Sequence, residues 1–488
     1  MGKLQTKVFI KKRTMKIKNL LSIAITIFLL FTSSQSVKSQ TGVYSPSLVN
    51  FDVAMTNLLN DFDIPGGQLA ITYQGRLVYS RGFGFADSST NTAVCPDNIF
   101  RIASLSKQIT AITIMHLYEQ GMVGLNDLVF GPNGILNDGI YLDILDPLVY
   151  GITVRHLLSH QSGMYASGFN LMSSMLNFAP GSSATYSNSG YVWLGRVIEK
   201  ITTQDYETYV RDTILAPIGI TDMHSGKSLL IDQFPNEVHY YDYPGAPLVP
   251  SLLDPTILVP RQYGGTFSME VSKACGGWIA SAQDLCKLLC AVDKFSTRPD
   301  IISQATISTM VQPVHSFLGN PYALGWYINT TSNNWYHSGG FTGTMTYQVR
   351  RNEEINYALL VNSNYSSGQY TALSNLVSSI IPLITSWPTF DLFDSTVVCS
   401  PLSSVNNISQ NPSLFTVYPN PAKSQITVKV DALLLGSNYI IYDFTGKSVL
   451  SGKIISEDSL IELGNLSGGI YFLSVGENMN QTFKVIKE

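Results

Sequence analysis

Cysteine is scarce in this sequence, with five residues among 488. They are Cys95, Cys275, Cys286, Cys290 and Cys399. An odd number without a Cys-x-x-Cys spacing excludes the usual zinc-binding and dithiol redox motifs. We therefore predict no disulfide framework. Cys286 and Cys290, four residues apart on one predicted helix face, are interpreted as two small core residues.

Charge is also scarce. Charged residues make up 13% of the chain, hydrophobic residues make up 45%, and the net charge is −4. These values are typical of a globular protein, and the length suits two or three domains. Because basic residues are not in excess, the composition gives no electrostatic reason to expect nucleic acid binding.

Long apolar runs are missing except for one near the N-terminus. Basic residues from Lys11 to Lys18 precede the apolar run 20–31, and small residues follow in 33–40. This pattern predicts a secretory signal peptide at residues 1–40, with Met15 as an alternative start. The run is too short for a stable transmembrane span. We therefore expect a mature protein that works outside the cytoplasm and has no transmembrane segment.

The sequence also lacks a Gly-x-Ser-x-Gly motif, so the α/β-hydrolase route to an esterase has no support. Ser104 and Lys107 instead stand three residues apart at the start of a predicted amphipathic helix, on one face. A serine nucleophile needs a base nearby, and a buried lysine with a lowered pKa can serve. At a helix start, the backbone N–H of Ser104 can also bind an oxyanion. Alone, Ser-x-x-Lys equally describes an ordinary helix start.

The order of predicted elements indicates an α+β fold. The predicted elements are a helix over 48–62, a hairpin from 68–73 and 76–80, the Ser104 helix, further helices, strands at 322–327 and 355–361, and a glycine-rich turn within 335–344. Strands at both ends of the domain suggest that its termini pair in one sheet. Residues 215–265, rich in proline, tyrosine and glycine, are interpreted as a long excursion of loops.

Two further polar groups stand in the middle of the chain. Tyr186 and Asn188 lie in a polar loop before a predicted helix over 192–201, where both can point into a cleft. His156 and His160 are four residues apart, but no acidic residue lies between them as a metalloprotease helix requires. We therefore expect structural roles for both histidines, and no metal site.

The C-terminal part has a different sequence pattern. Periodicity disappears over 388–412, which we interpret as a linker. Residues 413–488 contain six short alternating segments separated by turn residues, and they show no helical pattern. This predicts a small β-sandwich.

Three elements in order now resemble the penicillin-binding protein and class C β-lactamase superfamily of serine hydrolases. They are Ser104-x-x-Lys107, Tyr186-x-Asn188 and His337-x-Gly339. The resemblance implies a hydrolase domain over 41–387 with a β-lactamase/transpeptidase-like fold. That fold combines an antiparallel sheet flanked by helices with an all-helical region.

The resemblance also implies roles for individual residues. Ser104 would form an acyl-enzyme, and Lys107 and Tyr186 would share the proton transfers, with the choice of base left open. Asn188 would hold Lys107 and the substrate amide, and His337, Ser338 and Gly339 would complete substrate binding. The backbone N–H groups of Ser104 and Gly340 would form the oxyanion hole. No cofactor is implied.

Two departures from the family pattern affect the expected substrate. His337 replaces a lysine, as in D-alanyl-D-alanine carboxypeptidases and esterase-like members, and could donate to Tyr186 or to a substrate carboxylate. Gly340 replaces a hydroxyl residue that helps several carboxypeptidases bind that carboxylate. We expect a secreted hydrolase of peptidoglycan-like D-alanyl peptides, with a carboxylesterase, or a hydrolase of D-amino-acid amides, as the alternative. A catalytically silent binding protein is a third hypothesis, which the intact Ser104, Lys107, Tyr186 and Asn188 disfavour.

The last domain resembles the sorting domains of type IX secretion. Its landmarks are residues 415–422, 442–447 and 466–471, in that order. The resemblance implies that residues 413–488 engage secretion machinery at a Gram-negative outer membrane, leaving a secreted or surface-attached enzyme. A carbohydrate-binding sandwich is the alternative for this domain.

Overall fold

The computed structural model describes residues 39–139, 146–164, 175–317, 319–394, 399, 415–430, 434–443, 447–475 and 482–488. Residues 1–38 of the predicted signal peptide lie outside this set, as does most of the predicted linker. Two compact units are present, Met1–Pro401 and Leu402–Glu488, and their boundary falls within the predicted linker. No helix in the described parts of the chain is sufficiently long and apolar to cross a bilayer.

The first unit contains fifteen strands in its described residues. They are β1 (Gln40–Gly42), β2 (Gly66–Tyr73), β3 (Arg76–Asp87), β4 (Thr92–Ala93), β5 (Phe100–Arg101), β6 (His224–Ser225), β7 (Leu248–Pro250), β8 (Leu258–Pro260), β9 (Trp278–Ala280), β10 (His315–Phe317), β11 (Asn320–Tyr322), β12 (Tyr327–Asn329), β13 (Asn334–Phe341), β14 (Thr344–Arg351) and β15 (Ile355–Val361). Its α-helices are Val49–Asp61, Ser106–Glu119, Val154–Leu158, Asn188–Thr202, Tyr206–Val210, Lys273–Gly276, Ala282–Cys290, Gln304–Met310 and Gln369–Ile380.

One antiparallel sheet organises this unit. Its strand order is β1-β3-β2-β15-β14-β13-β12-β11-β10, with β4 paired to β3. The N-terminal hairpin therefore lies beside β15, as the order of elements predicted. Gln74 and Gly75 close the hairpin with φ values of +51° and +74°, the left-handed conformation that suits a tight turn between twisted strands. The α+β prediction is confirmed.

The two faces of the sheet bury different cores. On one face, the helices Val49–Asp61 and Gln369–Ile380 cover apolar side chains that include Tyr347 and Val349 of β14. The other face packs against the helical region around the Ser106–Glu119 helix, which is buried over most of its length. Its buried side chains include polar ones, such as Lys107, Gln108 and Thr110, among the apolar ones. The turn that carries Ser104 leads directly into this helix, so Ser104 lies beside the core of the unit.

Two elements differ from the sequence prediction. The strand predicted over 322–327 is two strands, β11 and β12, separated by a bend at Gly325, whose φ is +87°. An added Cβ there would lie 2.7 Å from the Cβ of Ala111, so the bend also brings the chain against the central helix. The predicted glycine-rich turn over 335–344 is mostly the continuous strand β13, and the chain turns only at residues 342–343.

The prediction of no disulfide framework is wrong in one respect. Cys95 and Cys399 form a disulfide with a Cα–Cα distance of 5.3 Å. A separation of 304 residues left no spacing pattern from which to predict the pair. The interpretation of Cys286 and Cys290 as core residues is confirmed, since both are buried beside β2, near Ala70 and Thr72 respectively.

The start of the predicted linker is attached to the first unit. Asp391 accepts a hydrogen bond from the backbone N–H of Leu77 at 2.9 Å and forms an ion pair with Arg298. Immediately before the predicted linker, Trp387 stacks on Tyr73 with ring centroids 5.0 Å apart. At the other end, Gln40, assigned to the signal peptide, is the first residue of β1 and pairs with Phe83.

The second unit confirms the predicted β-sandwich. Its strands are β16 (Phe415–Tyr418), β17 (Gln425–Val430), β18 (Asn438–Asp443), β19 (Ser448–Lys453), β20 (Asp458–Glu462), β21 (Gly469–Val475) and β22 (Thr482–Lys487). They form two antiparallel sheets, β16-β17-β20 and β19-β18-β21-β22. Apolar side chains from both sheets, such as Ile426 and Leu473, pack in one core. The prediction missed only β16 as a strand.

Candidate active site

Ser104 lies in a short 3-10 turn, Ala103–Leu105, directly before the central helix that begins at Ser106. The sequence analysis placed Ser104 inside the first turn of the α-helix, whereas the helix begins two residues after it. Ile102 anchors the turn, because its N–H donates to the carbonyl of Trp278 at 3.0 Å and its carbonyl accepts from Thr346 Oγ1 at 2.9 Å. Ala103 has a φ of +47°, a conformation that is strained for alanine. Strain beside a nucleophile is typical of functional sites.

Lys107 is fully buried and donates three hydrogen bonds. Its Nζ lies 3.0 Å from Ser104 Oγ, 2.8 Å from Asn188 Oδ1 and 2.7 Å from the carbonyl oxygen of Cys275. Burial disfavours the charged amine and lowers the pKa of Lys107 to about 8, although its electrostatic interaction with Cys275 opposes the change. About one tenth of the amine is therefore neutral at pH 7, within reach of the Ser104 hydroxyl.

Tyr186 lies against the same amine. Lys107 Nζ is 4.7 Å from the centre of the Tyr186 ring, and Tyr186 shares a hydrogen bond with Ser104. Burial raises the pKa of Tyr186 well above its usual value, and the hydrogen bond with Ser104 only partly offsets this. The helix that follows begins at Asn188 and is capped by the Ser187 side chain, four residues earlier than the sequence predicted.

His156 and His160, whose spacing raised the question of a metal site, instead make hydrogen bonds and ring contacts within the protein. His160 packs on the Tyr186 ring at 4.3 Å, and its Nδ1 accepts from the N–H of Ser187 at 3.2 Å. Burial and the nearby Lys107 charge lower the pKa of His160 well below its usual value, so its ring is neutral. His156 joins Thr153 in a capping box. Within the described ranges, no cluster of ligand-type side chains suits a metal ion.

His337 is buried in β13, and its ring centroid lies 6.4 Å from that of Tyr186. Its Nδ1 lies 2.6 Å from the carbonyl oxygen of Ser338, to which it donates, and its Nε2 lies 3.4 Å from the Tyr322 hydroxyl. Burial, reinforced by the Lys107 charge, lowers the pKa of His337 to about 3. The imidazole is therefore neutral at physiological pH and supplies no positive charge to a substrate.

Gly339 lets β13 approach the nucleophile. An added Cβ would contact Thr346 Oγ1, and it would lie 2.5 Å from the Ile102 carbonyl oxygen and 2.9 Å from the Ser104 nitrogen. Only glycine fits such an approach. The ladder between β12 and β13 ends at Tyr336, so the β13 edge over residues 337–341 extends beyond β12 toward the Ser104 turn.

Because side chains alternate along β13, the remaining residues of this motif lie on opposite faces of the sheet. His337 pairs with Gln348 and Gly339 with Thr346, both buried, whereas Ser338 pairs with Tyr347 of the opposite core. The Ser338 side chain therefore lies on the face away from Ser104, and its role in substrate binding stays a prediction. Gly340 is exposed next to this edge, and the oxyanion hole of Ser104 and Gly340 also stays a prediction.

Arg101 and Cys275 are two contributors that the sequence did not reveal. The Arg101 guanidinium is buried 4.3 Å from the Tyr240 ring and donates to the Lys227 carbonyl at 2.8 Å. These contacts join residues of the 215–265 region to β5, the strand just before the Ser104 turn. Cys275 contributes only its carbonyl, which any residue carries. An arginine in an apolar stretch before Ser104 was the only available signal.

Comparison with known proteins matches each unit to a family. Residues 51–377 match the family described as Beta-lactamase, and residues 416–488 match the Secretion system C-terminal sorting domain. Penicillin-binding protein 4* of Bacillus subtilis (strain 168) is 26% identical over 302 residues, covering 57% of this chain and 63% of the relative. This chain thus spans less than two thirds of that relative's length.

Two solved structures have the same fold. The D-alanine carboxypeptidase AmpC from Burkholderia cenocepacia superposes with a TM-score of 0.54 at 19% identity, covering 68% of this chain and 99% of its own. A D-amino acid amidase from Ochrobactrum anthropi SV3 superposes with a TM-score of 0.53 at 22% identity, covering 68% and 97%. At these identities the likeness establishes the fold alone.

Proposed function

This chain belongs to the beta-lactamase family of serine hydrolases, and on that premise we propose that it hydrolyses small amides or esters through an acyl-enzyme on Ser104. The observation that carries the proposal is the buried Lys107 amine, 3.0 Å from Ser104 Oγ and with a pKa lowered to about 8. A serine hydroxyl needs a base at hydrogen-bond distance, and an amine with this pKa is effective near neutral pH.

In the acylation step, Lys107 Nζ takes the proton of Ser104 while Oγ attacks the substrate carbonyl. The negative charge on the carbonyl oxygen would be held by the backbone N–H groups of Ser104 and Gly340. Collapse of this intermediate expels the amine or alcohol and leaves an ester on Ser104. Attack by water then releases the acid and restores the serine.

Lys107 is the better candidate for the base, and Tyr186 for a proton donor. A raised pKa keeps Tyr186 a neutral phenol, which can pass a proton to the leaving group and be reprotonated by the Lys107 ammonium. Asn188 accepts from Lys107 at 2.8 Å and so fixes the direction of the amine. The network thus provides both an acid and a base without a charged histidine.

D-alanyl peptides are the leading substrate class. The relative named penicillin-binding protein and the solved D-alanine carboxypeptidase support this choice. The edge of β13 over 337–341 supports it too, since an extended peptide can pair with such an edge beside Ser104.

Esters, or amides without a terminal carboxylate, are the second candidate class. The neutral His337 cannot attract a carboxylate, and Gly340 offers no side-chain hydroxyl to one. The solved D-amino acid amidase indicates that this fold also accommodates amide substrates. This candidate therefore rests on the absence of a charge that a carboxypeptidase would use.

A matched pair of substrates separates the two classes. One is an acyl-D-alanyl-D-alanine peptide with a free carboxylate, and the other is the same peptide as its C-terminal amide. A carboxypeptidase prefers the free acid, whereas the second candidate predicts equal or faster hydrolysis of the amide. Failure of both peptides and of a p-nitrophenyl ester, with the protein folded, would contradict the proposed hydrolase function.

The sorting domain indicates a secreted or cell-surface protein, and we propose that residues 413–488 engage the secretion machinery of a Gram-negative outer membrane. Removing these residues should retain the hydrolase inside the cell envelope without changing its activity. Normal release of the truncated protein would overturn this assignment.

A further inference from the structure

A cavity of about 400 Å³ lies on the sheet face opposite Ser104. Tyr336 and Tyr347 of β13 and β14 line one side, and Tyr370 and Asn375 of the Gln369–Ile380 helix line another. We propose that this cavity is a binding site for a neutral saccharide. It lies outside the catalytic network, because alternation along β13 directs Tyr336 away from His337.

Aromatic rings provide the surfaces on which a sugar ring can stack. The ring centroids of Tyr336 and Tyr347 are 6.0 Å apart, and Tyr370 stands perpendicular to Tyr347 at 6.3 Å. Tyr370 is 45% exposed, so its ring is accessible to a ligand. Such rings combine a large apolar face, which has a partial negative potential, with a polar hydroxyl. The C–H groups of a pyranose complement the ring face, and the sugar hydroxyl groups complement the tyrosine hydroxyl.

Apart from Arg351 and the tyrosines, neutral amides and hydroxyls supply the polar part of the lining. They belong to Asn320, Asn329, Asn334, Asn375, Ser374 and Ser378. The side-chain oxygens of Asn329 and Asn334 accept from neighbouring backbone N–H groups, so these two amides would offer a sugar hydroxyl their NH₂ groups as donors. Val349 is the single aliphatic side chain among the described residues that line the cavity, so a hydrocarbon ligand is disfavoured.

Arg351 argues for a neutral ligand with oxygen acceptors. Its side chain is only 15% exposed, and its charge is paired with Glu353. Its Nε–H is buried and finds no acceptor among the described residues. Buried donors are nearly always satisfied, so an occupant whose hydroxyl or acetamido oxygen meets this N–H, once the Arg351 side chain turns toward the cavity, would complete it. The Glu353 carboxylate beside it disfavours an anion.

Tyr327 connects the cavity to the catalytic cleft. Its ring stacks on Tyr336 at 5.4 Å and lies 5.3 Å from the His337 ring. A series of contacting rings therefore joins the two faces of the sheet at the start of β12. If the proposed function on D-alanyl peptides holds, the saccharide would be the glycan that carries those peptides; the binding site itself does not depend on that function.

The test measures saccharide binding separately from catalysis. The mature Ser104→Ala protein is titrated calorimetrically with the N-acetylglucosamine tetramer and with peptidoglycan glycan strands freed of peptide. We expect binding of at least one of them at concentrations below roughly 10 mM. Tyr370→Ala should weaken it by about tenfold or more, whereas Tyr370→Phe keeps the ring and should retain it. Tyr243→Ala, a comparably exposed tyrosine away from the cavity, is the matched control.

Three results would overturn the proposal. Neither saccharide binds, or binding is the same in the Tyr370→Ala protein, or a peptidoglycan stem pentapeptide binds in a Tyr370-dependent way and the saccharides do not. The last result would assign the cavity to a peptide. Because the titration uses the Ser104→Ala protein, failure of the hydrolase assignment leaves this measurement intact.

Discussion

At the scale of single residues, the proposed chemistry depends on one buried amine. Lys107 is held by Ser104, Asn188 and the carbonyl of Cys275, and burial lowers its pKa to about 8. The first two partners were predictable from the motifs, because side-chain identity carries that information. The third was not, since a backbone carbonyl leaves no mark in a sequence.

Replacing Lys107 with methionine should lower kcat/KM by about 10²–10⁴-fold, the usual contribution of a positioned base. Methionine keeps much of the packing volume, so the thermal unfolding midpoint should change far less than the activity. Steady-state kinetics and a melting curve on the same preparation test this. Retained activity in the variant would assign the base to another group.

The pH profile should report the same amine. Only neutral Lys107 accepts a proton, and its neutral fraction grows as pH rises, so kcat/KM should increase with a midpoint near pH 8. His337, with a pKa lowered to about 3, and His160, also lowered, should add no step near pH 6.5. A rise centred near pH 6.5 would instead indicate a histidine base.

Gly339→Ala should reduce kcat/KM by about 100-fold, because its Cβ would displace β13 from the Ser104 nitrogen and the Ile102 carbonyl. Gly340→Ala is the comparison, since its added Cβ would meet Asn364 Nδ2 at 3.1 Å and no backbone atom closer than 3.7 Å. We expect a smaller loss there. Equal losses in the two variants would refute the close-approach explanation.

At the scale of elements, alternation and turn chemistry predicted more than glycine content did. The hairpin around Gln74-Gly75, the strand Ile355–Val361 and the strands Asn438–Asp443 and Gly469–Val475 follow directly from local pattern. The glycines of β13 suggested a turn, but they serve close packing against the Ser104 turn. That reason is tertiary, so local pattern could not reveal it.

A buried ion pair joins the first helix to the sheet. Asp52 of the Val49–Asp61 helix pairs with Arg81 of β3 and accepts from the Tyr79 hydroxyl at 2.6 Å. Asp52→Ala should lower the free energy of unfolding by about 3–5 kcal/mol, because it strands a buried guanidinium. Asp138→Ala, which breaks the exposed pair with Lys200, should cost under about 1 kcal/mol. Urea unfolding monitored by circular dichroism compares the two, and similar losses would contradict this reasoning.

At the scale of the whole molecule, one disulfide joins two distant parts of the first unit. It links Cys95 to Cys399 across 304 residues, and disulfides are stable in the oxidising environment of secreted proteins. The double variant Cys95→Ala/Cys399→Ala should lower the free energy of unfolding by about 2–4 kcal/mol. A reducing agent should destabilise the native protein and leave the double variant unaffected. Unchanged stability on reduction would contradict a stabilising role.

The central claim is that Ser104 carries the acyl group. The most direct measurement is the intact mass of the mature protein after brief incubation with a penicillin and, separately, with a p-nitrophenyl ester, followed by peptide mapping. The account predicts a mass gain equal to the acyl group from at least one reagent, located on Ser104. The Ser104→Ala protein should show none, whereas Ser88→Ala, an exposed serine control, should be labelled normally. An adduct on another residue, or one that persists in the Ser104→Ala protein, would contradict the account.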